Sequence, residues 1–587
     1  MKNVKTSVCI LQHEVKMKSI DSKVFKVLNT ESKIRSTFHT STFISTIILF
    51  IVVHLNCGKQ ARMQSIIDEK PAYGGTFRLA QFTPETLDPI FIDDVYESSI
   101  ANQIFDGLLK FDVNLRPIPA IAKEWTISPD RRTYTFTLRR GVLFHNGREL
   151  TADDCVYSFT RIFNPSLPFS SIATEFMNDI VGTQEYSSGR AGKIKGLTAL
   201  DTHTLEIVLR KPSTHFLTVL AMDNTKVVPK EIGEEKGFQK FGKQPWGTGP
   251  FRFISWDEQK RIVLVAHDQY FGGRPYLDSL IFEIPHTYNE DELVEKFFNG
   301  DLETIAVPVG KLEQFMKENS YTIVKGPELS IEFIGFNTQL PPLDNKKVRQ
   351  AIAHALNRQK LIGLDPESFV LASGILPPGM PGYSPTQTVY PYNPKKANEL
   401  LREAGLCKGR KQKKIEYWGV GTDSMSVYEN DLMVKGDLAQ IGLDLEQKYE
   451  SWLEFDKRVA EGRAQLFSMS LIADIPEPAS FLYSIFHSSS GTNYLGYSNT
   501  LVDSILKKAK EELNYFERVR MCREAEKLIM ADAPIVPLDH VINIYAFQPY
   551  VKGIELSPYG MADFSMEKIW IRHKRYDTKS KIQLSAL

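Results

Sequence analysis

Three carboxylates are the residues best placed to do chemistry. Asp93 and Asp94 are adjacent in Ile92-Asp93-Asp94-Val95-Tyr96, and Asp474 opens a proline-bounded turn, Ala473-Asp474-Ile475-Pro476-Glu477-Pro478. Converging carboxylates can serve as general acid and base, but a charged binding cleft carries the same signature. Inside a closed cleft, a carboxylate makes a charge-assisted hydrogen bond of roughly 1.5–3 kcal/mol to an ammonium group. Asp474 also has a plainer reading, as the residue that stabilises the turn before the next helix. The usual catalytic motifs are missing: there is no G-x-S-x-G elbow, no Walker A sequence and no zincin motif. The twelve histidines form neither H-x-H nor H-E-x-x-H spacings, so direct metal coordination is not expected. No catalytic residue, metal or cofactor is therefore predicted. Gly247-Thr248-Gly249-Pro250-Phe251 lacks the Lys-Ser/Thr ending of a phosphate loop and reads as a structural turn.

The elements around these residues follow from spacing. Tyr134, Phe136 and Leu138 alternate with threonines, the period of a half-buried strand. Asn146-Gly147 marks a turn, and Thr151 stands three residues before Asp154, a box-like helix start ahead of Val156, Phe159 and Ile162. Further strands are expected at Gly74–Ala80, at Leu205, Ile207 and Leu209, and at Arg261–Ala266. A helix capped at Asp344 should bury Val348, Ile352, Ala355 and Leu356. Another has Asn393 as its cap, Pro394 at its first position and Gly405 past its end, with Ala397, Leu400, Leu401 and Ala404 as the buried stripe.

At 587 residues the chain exceeds one core, so two to four domains are expected. Hydrophobic residues at 42% and charged residues at 24% describe a globular protein. Lys plus Arg equals Asp plus Glu, 71 each, and nothing in that balance favours nucleic acid. The basic run Lys408, Arg410, Lys411, Lys413 and Lys414 reads as a solvated loop. Phe43–Leu55 is an apolar run behind Lys33 and Arg35 and ahead of Asn56-Cys57-Gly58, the layout of a secretory signal and short for a membrane-spanning helix. The segment before it is long for a signal's n-region, so Met17 is a candidate start. Cys155, Cys407 and Cys522 are widely spaced with no C-x-x-C pair, which indicates neither a disulfide framework nor a zinc site. Cys155 is expected in a core.

The stretch Trp125–Arg161, with Gly141-Val142-Leu143-Phe144-His145-Asn146-Gly147 and Thr151-Ala152-Asp153-Asp154, resembles the signature of the peptide/nickel-type, family 5 solute-binding proteins of ABC importers. Spaced landmarks extend the resemblance from Gly74 to Trp570, among them Leu87-Asp88-Pro89, Tyr270-Phe271-Gly272-Gly273-Arg274-Pro275 and Phe298-Asn299-Gly300-Asp301-Leu302. It implies an α/β fold of two lobes, periplasmic-binding-protein-like class II, with a hinge cleft and a subdomain inserted in lobe I. Lobe I would comprise 72–107, 226–326 and 546–575, the insertion 108–225 and lobe II 327–545. The leader would span 1–56, a linker 57–71 and a tail 576–587.

The resemblance also implies a monomeric receptor that passes a peptide to an ABC permease without chemistry on it. Cys57 resembles a lipobox cysteine, although His54-Leu55-Asn56 departs from the usual pattern; lipidation there would anchor the protein outside the cytoplasm of a bacterial cell. Asp474, with Ala473 beside it, corresponds to the aspartate that grips a peptide α-ammonium in relatives, and Asp93, Val95 and Tyr96 to the stretch that touches peptide backbone. Ser470-Leu471 stands where relatives have Gly-Trp, and Val459 and Ser468 where some have arginines, so Arg458 and Arg463 become the candidate carboxylate partners. Asp539-His540 replaces an aromatic-rich stretch and makes His540 a candidate selector of ligand. These departures keep open a non-peptide ligand such as a metal chelate, haem or sugar.

Overall fold

Thr133–Leu138 buries Tyr134, Phe136 and Leu138 and leaves its threonines more accessible, as the alternation predicts. It lies between Ala122–Ile127 and Thr204–Val208, and Leu197–Asp201 completes an antiparallel sheet of four. The helix Ala152–Ile162 packs on the last two strands and buries Cys155 and Phe159 completely. Its start is the expected capping box, with the Thr151 N–H donating to Asp154 Oδ2 at 2.9 Å. This computed structural model describes residues 70–572 except 168–170, 233–236, 286–288, 318–319, 364, 387–389, 407–413 and 422–428. The leader, Cys57, Cys407, most of the basic run and the tail lie outside the described residues.

A second sheet of four has the order Thr76–Ala80, Ser279–Glu283, Arg261–Ala266 and Phe251–Asp257; only the first pair is parallel. The helix Val95–Ile104 shares its core through Ile100 and Ile104. Gly247 and Gly249 let the chain pass directly over the end of that helix. A Cβ on Gly249 would stand 2.5 Å from the Ile104 carbonyl carbon, and one on Gly247 would stand 2.3 Å from its oxygen. That close approach confirms the glycine-rich turn as structural.

The largest sheet has eight strands and is organised by one long strand, Ile535–Phe547. Its first half pairs with Ser330–Phe336 and Phe369–Leu371. Its second half pairs with Thr304–Ala306 and Thr322–Pro327. The change of partner falls between Asp539 and Ile542. Thr322–Pro327 and Ser330–Phe336 are nearly continuous in the chain, so two antiparallel segments run side by side from one lobe into the other. Beyond Ser330–Phe336 the sheet continues through Leu466–Ile472, Ile415–Val420 and Leu445–Glu450, the last two pairs parallel. The fold is thus the expected two-lobed α/β arrangement.

Both predicted helices of the second lobe are present. Val348, Ile352, Ala355 and Leu356 are buried as expected, but the helix is Lys346–Ala355 and its cap is Asn345, not Asp344. Asn345 wins because its side-chain oxygen accepts the Lys347 N–H at 2.9 Å. Asn393 caps Pro394–Glu403 as read, accepting the Lys396 N–H at 3.0 Å, and Gly405 takes a left-handed φ of 78° past the end. Among the described residues no helix is long and apolar enough to cross a membrane.

Candidate functional site

Asp474 stands where the Leu466–Ile472 strand leaves the sheet. Ile472 pairs with Ser330, and the next residue, Ala473, donates its N–H to the Leu329 carbonyl at 2.8 Å. The strand is therefore tied to one of the two crossing segments just before Asp474. Helix capping, the alternative role for Asp474, is filled by Glu477. That carboxylate accepts the Ser480 N–H at 2.8 Å at the start of Pro478–Phe486 and is held by Arg518 at 3.0 Å. Asp474 is left to face a cavity.

The cavity has a volume of about 190 Å³. One wall is the Leu471–Ile475 segment with Ser480, Phe481, Thr492 and Tyr494. The opposite wall is Ile172, Glu175 and Phe176, at the helix Ala173–Met177 beside the small sheet. Water reaches the Asp474 carboxylate, yet protein surrounds it on nearly every side, the signature of a group inside a cleft. Enclosure, and then the like charge of Glu175, pushes its pKa up to about 6, and no cationic side chain offsets this. Tyr559 is a further neighbour. Its hydroxyl is buried with no hydrogen-bond partner, and burial together with the charges of Asp474, Asp563 and Asp223 raises its pKa well above the ordinary phenol value. The Pro558 carbonyl accepts from the Leu329 N–H at 3.3 Å, which ties this segment to the same crossing strand.

Ala473 lines this cavity with Asp474, and the remaining predicted contacts do not. Asp94 caps the helix Val95–Ile104, accepting from Tyr96 and Glu97 at 2.8 and 2.7 Å. Asp93 is exposed, Val95 begins that helix, and Tyr96 packs edge-on to Phe82 with centroids 5.1 Å apart. Asp93, Asp94 and Glu97 place oxygens within 4.8 Å of one another. Glu97 is spent on structure: it accepts the Glu85 and Thr86 N–H groups, each at 3.0 Å, and burial raises its pKa to about 7. Arg458 is bound to Glu450 at 2.6 and 2.8 Å and lies 3.7 Å over the Trp418 ring. Arg463 is exposed and pairs with Glu461 at 2.6 Å. His540 is fully buried, its Nδ1 at 2.9 Å from the Ser330 carbonyl, and burial lowers its pKa to about 4. It is a core residue of the long strand, because its side chain falls on the face opposite its neighbour Asp539. Glu175 and Tyr559 were not predicted, since nothing local marks two residues brought in from distant segments.

Two lobes crossed by paired strands, with an enclosed and uncompensated carboxylate between opposing walls, define a ligand-binding protein. Residues 116–493 match the profile "Bacterial extracellular solute-binding proteins, family 5 Middle", and the chain belongs to that family. It is 28% identical over 504 residues to the "Dipeptide-binding protein" of Escherichia coli K12, covering 82% of this chain and 92% of the relative. It is 29% identical over 497 residues to the "Heme-binding protein A" of Haemophilus influenzae, covering 81% and 88%. Among solved structures it is similar to the "ABC transporter-associated periplasmic binding protein DppA from Helicobacter pylori in complex with peptide STSA". That match has a TM-score of 0.74 and 26% identity, over 86% of this chain and 99% of that one.

Proposed function

We propose that this protein is the peptide receptor of an ABC importer, with Asp474 as the acceptor for the peptide's α-ammonium group. The observation that carries this reading is an enclosed carboxylate with no cation of its own, tied to the crossing strands. A bound ammonium would supply the missing charge, and the Tyr559 hydroxyl would gain the partner it lacks. Extended peptides bind clefts of this kind through main-chain hydrogen bonds, which need few particular side chains. A haem ligand is less well served, because no histidine lines the cavity. Relatives named for dipeptides and for the peptide STSA support the reading.

The receptor acts as a monomer without chemistry on its ligand, anchored through a lipid on Cys57 and delivering to a membrane permease. Native mass spectrometry of protein begun at residue 57 with Cys57→Ser, before and after mild denaturation, tests the ligand. Released peptide masses are expected, and a single non-peptide mass would overturn the reading. Detergent phase partition of the full chain tests the anchor: wild type should enter the detergent phase and Cys57→Ser should not.

A further inference from the structure

The crossing strands carry a second set of acids that binding at Asp474 does not use. Ser470, Glu332 and Asp539 are register partners across three adjacent strands, and partners in register share one face of a sheet. Ile472, two residues on from Ser470, lies on that face, is exposed and lines the Asp474 cavity. The acids thus share a sheet face with a residue that lines the site. Asp539 is only 6% exposed, and its Oδ1 is buried without a hydrogen-bond partner. Glu328 stands beside them, its Oε1 accepting from Asn543 Nδ2 at 3.3 Å. Glu332 feels Glu328, and Asp539 feels Glu332; no cationic side chain acts on any of the three.

Buried like charges on adjacent strands are costly unless they gain a proton or a cation. Burial first, then the neighbouring carboxylate, holds both Asp539 and Glu332 above the ordinary range. Their oxygens do not form a compact metal-ligand set with Glu328; among the described residues only Asp93, Asp94 and Glu97 do so. Separated acceptors suit an organic cation with several N–H donors on a long stem.

We propose that Glu332 and Asp539, with Glu328 at their edge, form a subsite for a cationic side chain of the bound ligand, so that the receptor prefers peptides carrying lysine or arginine. This rests on the peptide reading above. The α-ammonium at Asp474 and the side-chain cation at the crossing strands then occupy two places on one wall.

Titration calorimetry of the full chain with alanine tripeptides carrying lysine, or its uncharged counterpart norleucine, at each position in turn tests this. At one position the lysine peptide should bind about tenfold or more tighter than its norleucine partner. In Glu332→Gln/Asp539→Asn the preference should fall to about twofold or less, with norleucine-peptide affinity within about threefold of wild type. Thermal melts of the variant should show it folded and at least as stable, since the amides remove a repulsion. Equal binding of lysine and norleucine peptides at every position, still dependent on Asp474, would overturn the subsite and leave the receptor reading intact. Binding of neither series would overturn both. Stabilisation by calcium or magnesium that the double variant loses, with no lysine preference, would overturn it in favour of a metal site.

Discussion

At the scale of single residues, the proposed site uses groups that folding alone would not choose. Asp474 lines a cleft, faces Glu175 and has no cation acting on it, so its charged form carries an electrostatic cost. Asp474→Asn should therefore leave the protein folded while weakening peptide binding by about ten- to a hundredfold, the equivalent of one charge-assisted hydrogen bond; calorimetry checks this. The same carboxylate sets a pH dependence. With its pKa near 6, lowering the pH from 7 to 5 protonates it, and peptide affinity should fall over that interval in wild type but stay flat in Asp474→Asn. Tyr559→Phe removes a buried hydroxyl that has no partner in the structure. Its melting temperature should not drop, whereas peptide affinity should fall about tenfold if the ligand satisfies that hydroxyl.

At the scale of elements, one buried ion pair joins the helix Ala152–Ile162 to the segment ahead of the helix Val95–Ile104. Arg161, near the end of the helix Ala152–Ile162, forks onto Asp88 at 3.0 and 2.5 Å, and both side chains are almost completely buried. Asp88 in turn caps the short 3-10 turn Pro89–Phe91. Arg161→Met should cost about 3–5 kcal/mol by leaving a buried carboxylate unpaired, read as a lowered denaturation midpoint; Asp88→Asn in the same chain should recover part of it. Elements of this kind were legible in the sequence where local spacing decides them. The Thr151 capping box, the Thr133–Leu138 strand and the Asn393-Pro394 helix start all appear as read, and the cap at Asp344 misses by one residue. The site was less legible. Asp474 was reached through a motif, but its neighbours Glu175 and Tyr559 come from distant segments of the chain. Only the packing of a helix and a turn against the strand end brings them together. Arg458 and Arg463 were plausible by proximity in sequence and His540 by its place in a stretch that is aromatic-rich in relatives. The structure gives Arg458 an ion pair and a ring to stack on, gives Arg463 an ion pair, and buries His540.

At the scale of the whole molecule, the opposing titrations of buried acids and buried histidines should set where the unliganded protein is most stable. Burial raises Glu97 to about 7, and raises Asp563, which also faces Asp223, to about 7. Asp539 shifts the same way beside Glu332. A carboxylate whose folded pKa exceeds its unfolded value contributes stability that is fully present below the unfolded value and lost as pH rises through the folded one. These groups therefore make stability fall from about pH 4, where the unfolded carboxylates ionise, up to about pH 7–8. Buried His145, His215 and His540 have pKa values lowered to about 3, 4 and 4. A histidine held neutral contributes stability that is present above its unfolded pKa, near 6.5, and lost as pH falls towards the folded one. The histidines thus oppose the acids between about pH 4 and 6.5, and above that the acids act alone, so stability should fall from about pH 6.5 to 8. Melting curves from pH 4 to 9 without ligand would show it, and a flat profile from pH 6.5 to 8 would exclude the raised pKa values of these buried acids. A saturating cationic peptide should change that profile's shape, because it binds the charged form of Asp474 and of the acids on the crossing strands. Its stabilisation, about 2.7 kcal/mol at a hundredfold excess over Kd, should be largest at pH 7–8 and shrink towards pH 5, moving the optimum to higher pH. A peptide that raised the melting temperature equally at every pH would show that its charge is not read by these carboxylates.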